Sequence, residues 1–345
     1  MSNLETRPDE VECRSGDEQV GTVEILPPRE VPLGGPRAMR VRRTLPQRSR
    51  SLIGAWCFVD HYGPDQVAES GGMSVAPHPH TGLQTVSWLF TGEIEHRDSV
   101  GTHAMVRPGE VNLMTGGRGI SHSEVSTPGT TELHGAQLWV ALPDADRHTA
   151  PAFAHHVPTA VRVDGVDGAP GLEARVFVGS LLGSTSPVDT FTPLLGAELL
   201  LEPGATVRIP VDGTFEHGVL VDRGAVSVGP VGGAGERAGW SELAYVAPGA
   251  TALELTTYDE GARLLLLGGP PFGEAIVMWW NFVGRTHEEV VAYRAEWQAQ
   301  VTAGGDAVVG DSQDVADGRF GVVVGDHLPP IPAPEMPNAR LKERR

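Results

Sequence analysis

The 345-residue sequence predicts an all-β protein made of two tandem barrels, and three observations carry that prediction. Its 44 glycines and 28 prolines exceed ordinary usage, show no G-X-Y period, and sit between Val/Leu-rich runs as turns sit between strands. That texture occurs twice, from Gly21 to about Pro151 and again from about Gly171 to Gly269. The two stretches also echo each other. Ser87-Trp-Leu-Phe-Thr-Gly92 resembles Val219-Leu-Val-Asp-Arg-Gly224 at an offset of about 132, and Met105-Val-Arg-Pro108-Gly109 resembles Tyr245-Val-Ala-Pro248-Gly249 at about 140. Closing strands into barrels is how antiparallel sheets hide their edges.

Composition bounds the function. A chain that is 40% hydrophobic can give two domains a core each, and a formal charge of −18 repels phosphates, so direct nucleic-acid binding is not expected. Two cysteines, Cys13 and Cys57, make no disulfide framework; Cys57, between Trp56 and Phe58, reads as a small buried hydrophobe. The N-terminus lacks an apolar signal region and no run reaches membrane-spanning length, so the expectation is a soluble cytoplasmic protein with no membrane partner.

In chain order, residues 1–20 read as a disordered acidic tail and 21–150 as the first barrel. Residues 151–170 read as a linker and 171–283 as the second barrel. Thr286-His-Glu-Glu289 is a capping box, with Val290, Tyr293, Trp297 and Val301 at helical spacing until Gly304-Gly305, which predicts a helix within 284–305. The proline-rich residues 306–345 read as an extended arm or loose tail.

Histidines concentrate in the first half. Two patterns stand out there, Pro77-His78-Pro79-His80 and Ile120-Ser121-His122-Ser123-Glu124. Residues two apart on a strand share a face, so His-x-His and His-x-Glu can each clip a metal ion. An isolated clip is commonly a pair of hydrogen-bonded imidazoles; two clips flanking the same turns make a metal site the better reading. Three imidazoles and a carboxylate would leave one or two positions open, and suit Fe(II), Mn, Ni or Zn without discriminating among them. If the strand from His80 runs unbroken, Gln84, Val86 and Trp88 share the ligand face and line the pocket. His96 with Asp98, and His103, read as a solvated hairpin or as proton shuttles at the pocket mouth; Asp60-His61 reads as a possible support of the ligands. Thr115-Gly-Gly-Arg-Gly119 reads as a tight turn ahead of the second clip.

These motifs resemble the pirins, bicupins of the cupin superfamily. The match runs through Pro77–Val86, Gly92–Gly101 and Arg107–Glu124, upstream through Trp56–His61 and downstream through Gly273–Val283. The resemblance implies two packed cupin (double-stranded β-helix, jelly-roll-like) barrels with a short C-terminal helix. It also implies a single metal, usually iron, in the first barrel, held by His78, His80, His122 and Glu124. The activity it implies is quercetin 2,3-dioxygenase, in which a small aromatic enol and O2 react with ring cleavage and release of carbon monoxide. Glu124 would then be the general base, because Gln84 stands where the better-known pirins have Glu and cannot take a proton at neutral pH. The alternative it implies is non-catalytic, an iron-binding redox-sensing regulator acting through a protein partner; an enzyme acting on a non-flavonoid substrate is a third reading. At the two offsets His78 and His80 correspond to Pro210 and Asp212, and His122 and Glu124 to Ala262 and Leu264, so the second barrel is expected to be metal-free.

Overall fold

The structure, a computed structural model, describes residues 11–13, 21–33, 39–303, 318–337 and 341. Most of the expected acidic tail and parts of the expected arm therefore lie outside the described residues. Where the tail is described it forms a strand, Val11–Cys13, paired with Ile276–Met278.

Each barrel pairs a seven-stranded with a four-stranded antiparallel sheet, and the two follow one plan. In the first, the large sheet runs in the order Ala152–His156, Val111–Thr115, Leu83–Thr91, Glu132–Ala141, Trp56–Gln66, Met39–Leu45, Arg29–Leu33. Its small sheet runs Ser74–His80, Ile120–Ser126, Ile94–Asp98, His103–Val106. The second barrel repeats this as Val23–Leu26, Leu243–Val246, Glu216–Arg223, Ala262–Gly269, Leu195–Leu201, Leu172–Val178, Val161–Val163. Its small sheet runs Thr206–Pro210, Ala252–Thr257, Val226–Pro230, Glu236–Ala238.

Two expected boundaries are corrected. Val23–Leu26, placed by sequence in the first barrel, is the edge strand of the second, paired with Leu243–Val246. The expected linker supplies two edge strands, Ala152–His156 to the first barrel and Val161–Val163 to the second. In both barrels an exchanged or connecting segment covers a sheet edge that would otherwise stand unpaired.

The large sheets pack face to face, so their strands are buried on both sides and read as continuous apolar runs. In Ala262–Gly269, Leu264 and Leu266 point into the second barrel, whereas Leu265 and Leu267 join the core between barrels. That shared core holds Trp88 of the first barrel stacked on Phe177 of the second, centroids 4.7 Å apart. Burying each such side chain contributes about 1.5–3 kcal/mol.

The predicted helix forms as His287–Ala303, with Thr286 Oγ1 accepting the Glu289 N–H at 3.2 Å. Val290, Tyr293 and Trp297 pack with Trp279, Trp280, Phe282 and Phe320. The described part of the arm lies against the first barrel: the Ile331 N–H donates to the Pro77 carbonyl at 2.8 Å and Ser121 Oγ to the Phe320 carbonyl at 3.0 Å. The arm thus covers the strands that bear both histidine clips.

Candidate metal centre

Strand Ser74–His80 carries Pro77 and Pro79, which donate no backbone hydrogen bond, and accordingly lies at the edge of the small sheet. Its partner Ile120–Ser126 sets His122 directly opposite His78. The register slips between His122 and Glu124 because Ser74–His80 carries an extra residue there, while Ile120–Ser126 keeps regular pairing with Ile94–Asp98 and so holds His122 and Glu124 on one face. His78, His80 and His122 consequently converge, each offering a ring nitrogen within 4.8 Å of the others. His80 Nε2 and His122 Nε2 lie only 3.0 Å apart. His78 Nδ1 sits 2.8 Å from the Ala76 carbonyl, which fixes the proton there and leaves Nε2 as a lone pair. Burial pushes His78 down to about 4 and holds His80 and His122 well below the usual histidine range, so all three are neutral donors at neutral pH.

Glu124 belongs to a second, overlapping group with His122 and His96. The expected four residues are thus neighbours rather than one cluster, with His122 shared: Nε2 faces His80 and Nδ1 lies 3.4 Å from His96 Nδ1. His96 Nε2 lies 3.3 Å from Asp98 Oδ2, while Asp98 Oδ1 accepts the backbone N–H of Val100 (3.0 Å) and Thr102 (2.9 Å). This Asp98–His96–His122 chain suits a His122 that donates from Nδ1 and presents a lone pair at Nε2. The solvated-hairpin reading is therefore corrected for His96 and Asp98, which are buried. It holds for His103, which pairs with Glu95 at the surface.

The pocket residues expected from strand parity are also corrected. The strand from His80 breaks at Thr81-Gly82, where the chain crosses from the small to the large sheet. Gly82 has φ +68°, and a Cβ there would lie 2.3 Å from the Val283 carbonyl oxygen. Beyond the break the facing is reversed. Val86 and Trp88 enter the core between barrels, and Gln84 Nε2 donates to Thr115 Oγ1 (3.0 Å) and the Asp189 carbonyl (3.3 Å). The interior face carries Thr85, Ser87 and Leu89 instead. Ser87 Oγ lies 2.9 Å from Gln137 Oε1 and 3.4 Å from Glu124 Oε1, and the Trp139 ring stands edge-on to His80 at 5.3 Å.

Asp60 and His61 do not support the ligands. Asp60 forms a buried two-pronged ion pair with Arg43 at 2.7 and 2.9 Å. His61 faces the other way, joining His134 and Asp222 between the barrels: Asp222 Oδ1 lies 2.7 Å from His61 Nε2 and 2.6 Å from His134 Nε2. Burial works to raise the Asp222 carboxyl, but the hydrogen bonds from His134 and His61 outweigh it and hold it well below the usual range. Arg263 Nε binds its other oxygen at 2.5 Å. His134 and Asp222 also line a cleft of about 1080 Å³ with Arg223, Arg237, Trp240 and Arg263. Sequence gave no signal for this group, whose members come from both barrels. Cys57 is buried as expected, its Sγ 3.6 Å from the Trp139 carbonyl.

Sequence comparison places this geometry in a family. The profile described as Pirin matches residues 38–140, and that described as Pirin C-terminal cupin domain matches 196–322. The chain belongs to the pirin family. A Pseudomonas aeruginosa pirin relative named "Putative quercetin 2,3-dioxygenase PA1205" is 41% identical over 335 residues, covering 96% of this chain and 98% of that one. Human pirin is 28% identical over 253 residues, covering 73% and 83%. The crystal structure of a quercetin 2,3-dioxygenase from Acinetobacter baumannii superposes with a TM-score of 0.79 at 36% identity, covering 92% of this chain and 96% of that one. The all-β, two-cupin architecture is thus shared with these relatives, and no helix among the described residues is long and apolar enough to cross a membrane.

Proposed function

We propose that this pirin is a metal-dependent dioxygenase of the quercetin 2,3-dioxygenase type, with Fe(II) as the metal. His78, His80 and His122 would hold the ion, with Glu124 as fourth ligand and general base. The convergence of three buried, neutral imidazoles is the observation that supports this reading, because two Nε2 atoms 3.0 Å apart are well matched to a shared cation. Mn, Ni and Zn suit the same donors. The bound ion would supply Lewis acidity toward an enolic hydroxyl and a redox partner for O2. The protein's part is to exclude water, fix the imidazole tautomers and take a proton. Glu124 Oε1, with Ser87 Oγ 3.4 Å away, would accept the hydroxyl proton of a small aromatic enol, and Trp139 beside His80 would offer an edge against which a ring can rest.

The test is anaerobic iron loading of wild type and His80→Ala, with elemental analysis, followed by oxygen uptake with quercetin. Stoichiometric iron and quercetin-dependent uptake are expected in wild type, and loss of both in His80→Ala. Iron retained by His80→Ala would move the site elsewhere.

A second reading is favoured by the near-complete burial of the donors, with His78 and His80 at 0% and His122 and Glu124 at 1% exposure. In it the metal is a redox-sensitive structural ion and the protein acts through a protein partner. Wild type that binds iron but consumes no oxygen with quercetin would select it.

A further inference from the structure

The register of the large sheet draws a polar row across the inside of the first barrel. Asn112 pairs with Ser87, Ser87 with Gln137, Gln137 with Asp60, and Asp60 with Arg43. Directly opposed residues share a face, so these five side chains stand side by side on the interior. The second barrel has the same row, and there it reads Ala244, Val219, Leu266, Ala197, Val176. Every position is aliphatic.

The inner end of the polar row is satisfied, since Asp60 and Arg43 bind each other. The rest is not. Both polar atoms of the Asn112 amide and the Gln137 Nε2 are buried with no hydrogen-bond partner among the described residues. Unused amide groups at such depth are costly, each by the desolvation it suffers without return. Two features say what they are for. Ser87 Oγ lies 2.9 Å from Gln137 Oε1 and 3.4 Å from Glu124 Oε1, so the row abuts the candidate base. One row over, Phe153, Met114, Thr85, Trp139 and Phe58 line up in register, with the Phe153 ring 4.9 Å from His96 and the Trp139 ring 5.3 Å from His80. A ring-rich row and a row of neutral donors and acceptors thus run in parallel beside the histidines. They reach the sheet edge Ala152–His156, where His155 is solvent-exposed.

We propose that Asn112 and Gln137, with Ser87 between them, form the specificity subsite for the oxygen-bearing edge of a planar, hydroxylated aromatic ketone, while the neighbouring row receives its ring face. Neutral amides match carbonyl and phenol oxygens; with the Arg43 charge of the row already taken up by Asp60, they are poorly suited to a carboxylate or phosphate. This inference rests on the dioxygenase reading and adds the residues that choose the substrate.

Iron-loaded, anaerobic wild type is titrated with quercetin and with flavone, which keeps the ring system but lacks the hydroxyls, beside Asn112→Leu and Gln137→Met. Each substitution is expected to weaken quercetin binding by about tenfold or more, to weaken flavone binding by less because flavone keeps only the ring ketone, to leave iron content unchanged, and to raise the thermal midpoint because a buried unpaired amide is gone. An unchanged quercetin-to-flavone ratio, or a lowered midpoint with binding intact, overturns the assignment and makes the row structural. If Asn112→Leu loses iron or fails to fold, the smaller Asn112→Ala decides by the same ratio. Quercetin turnover by wild type with unaffected variants defeats only the subsite; no quercetin binding by wild type defeats the dioxygenase reading with it.

Discussion

The two barrels share strand order, sheet sizes and register, yet their interiors are chemically opposite. The second is filled by Leu, Val, Ala and Ile, such as Val207, Ile209, Leu253 and Leu255 on the strands that match the two ligand strands of the first. The first holds His78, His80, His122 and Glu124 at that place, and two amides, a hydroxyl and an ion pair opposite them. One frame tolerates both fillings because the barrels also bury a common core between their outer faces, and that core is apolar on both sides. The site is therefore an addition to a scaffold whose cohesion lies elsewhere, and its polar groups should be a burden wherever they are not used.

The ion pair at the inner end of the polar row gives the largest test of that contrast. Asp60→Ala strips a buried guanidinium of its carboxylate and should cost about 3–5 kcal/mol in chemical denaturation. Replacing both partners by apolar residues of similar volume, Asp60→Leu with Arg43→Met, makes the row resemble the second barrel's and should cost less than the single change. A double variant as damaged as the sum of its singles would mean that the pair does more than neutralise itself.

The reverse transplant should have a smaller effect. Leu266 occupies in the second barrel the register position of Gln137 in the first. Leu266→Gln would bury an amide among aliphatic neighbours and should lower stability by about 2–4 kcal/mol, read by the same denaturation, whereas Gln137→Met should not lower it. Equal losses at the two positions would end the claim that the barrels differ in purpose.

How much of this was legible in the sequence follows from distance along the chain. The clips His78/His80 and His122/Glu124 were readable because a strand's two-residue period brings neighbours together locally. The turn texture and the capping box at Thr286 are local in the same way. Facing beyond Gly82 was not, because one left-handed glycine moves the chain to another sheet and reverses the parity that Val86 and Trp88 had been given. The offset of 140 failed for a related reason. Pro248-Gly249 precedes Ala252–Thr257, the counterpart of Ile120–Ser126, whereas Pro108-Gly109 precedes Val111–Thr115, so the two turns are not equivalent. The second-barrel positions that answer to the His-x-Glu strand are therefore on Ala252–Thr257, not Ala262 and Leu264. Val23–Leu26 crosses to the far barrel, and four alternating residues carry no mark of which sheet they join. The His61–Asp222 contact spans 161 positions and has no local signature.

His217 departs from the aliphatic filling of the second barrel, and it yields the smallest effect. His217 is buried on strand Glu216–Arg223, opposite Val246 and Gly268, with neither ring nitrogen partnered among the described residues. Burial pushes it down to about 4, against a weaker upward pull from Asp212. An unfolded histidine takes its proton near 6.5, so between there and about 4 the unfolded chain binds a proton that the folded one refuses. Stability contributed by this residue must fall as pH falls through that window, by at most about 1.4 kcal/mol per pH unit. His217→Leu should flatten that part of the stability profile by the same amount while leaving the first barrel's histidines to titrate as before. A profile unchanged by the substitution would show that His217 finds a partner in solution, and that the second interior is not as dry as its side chains imply.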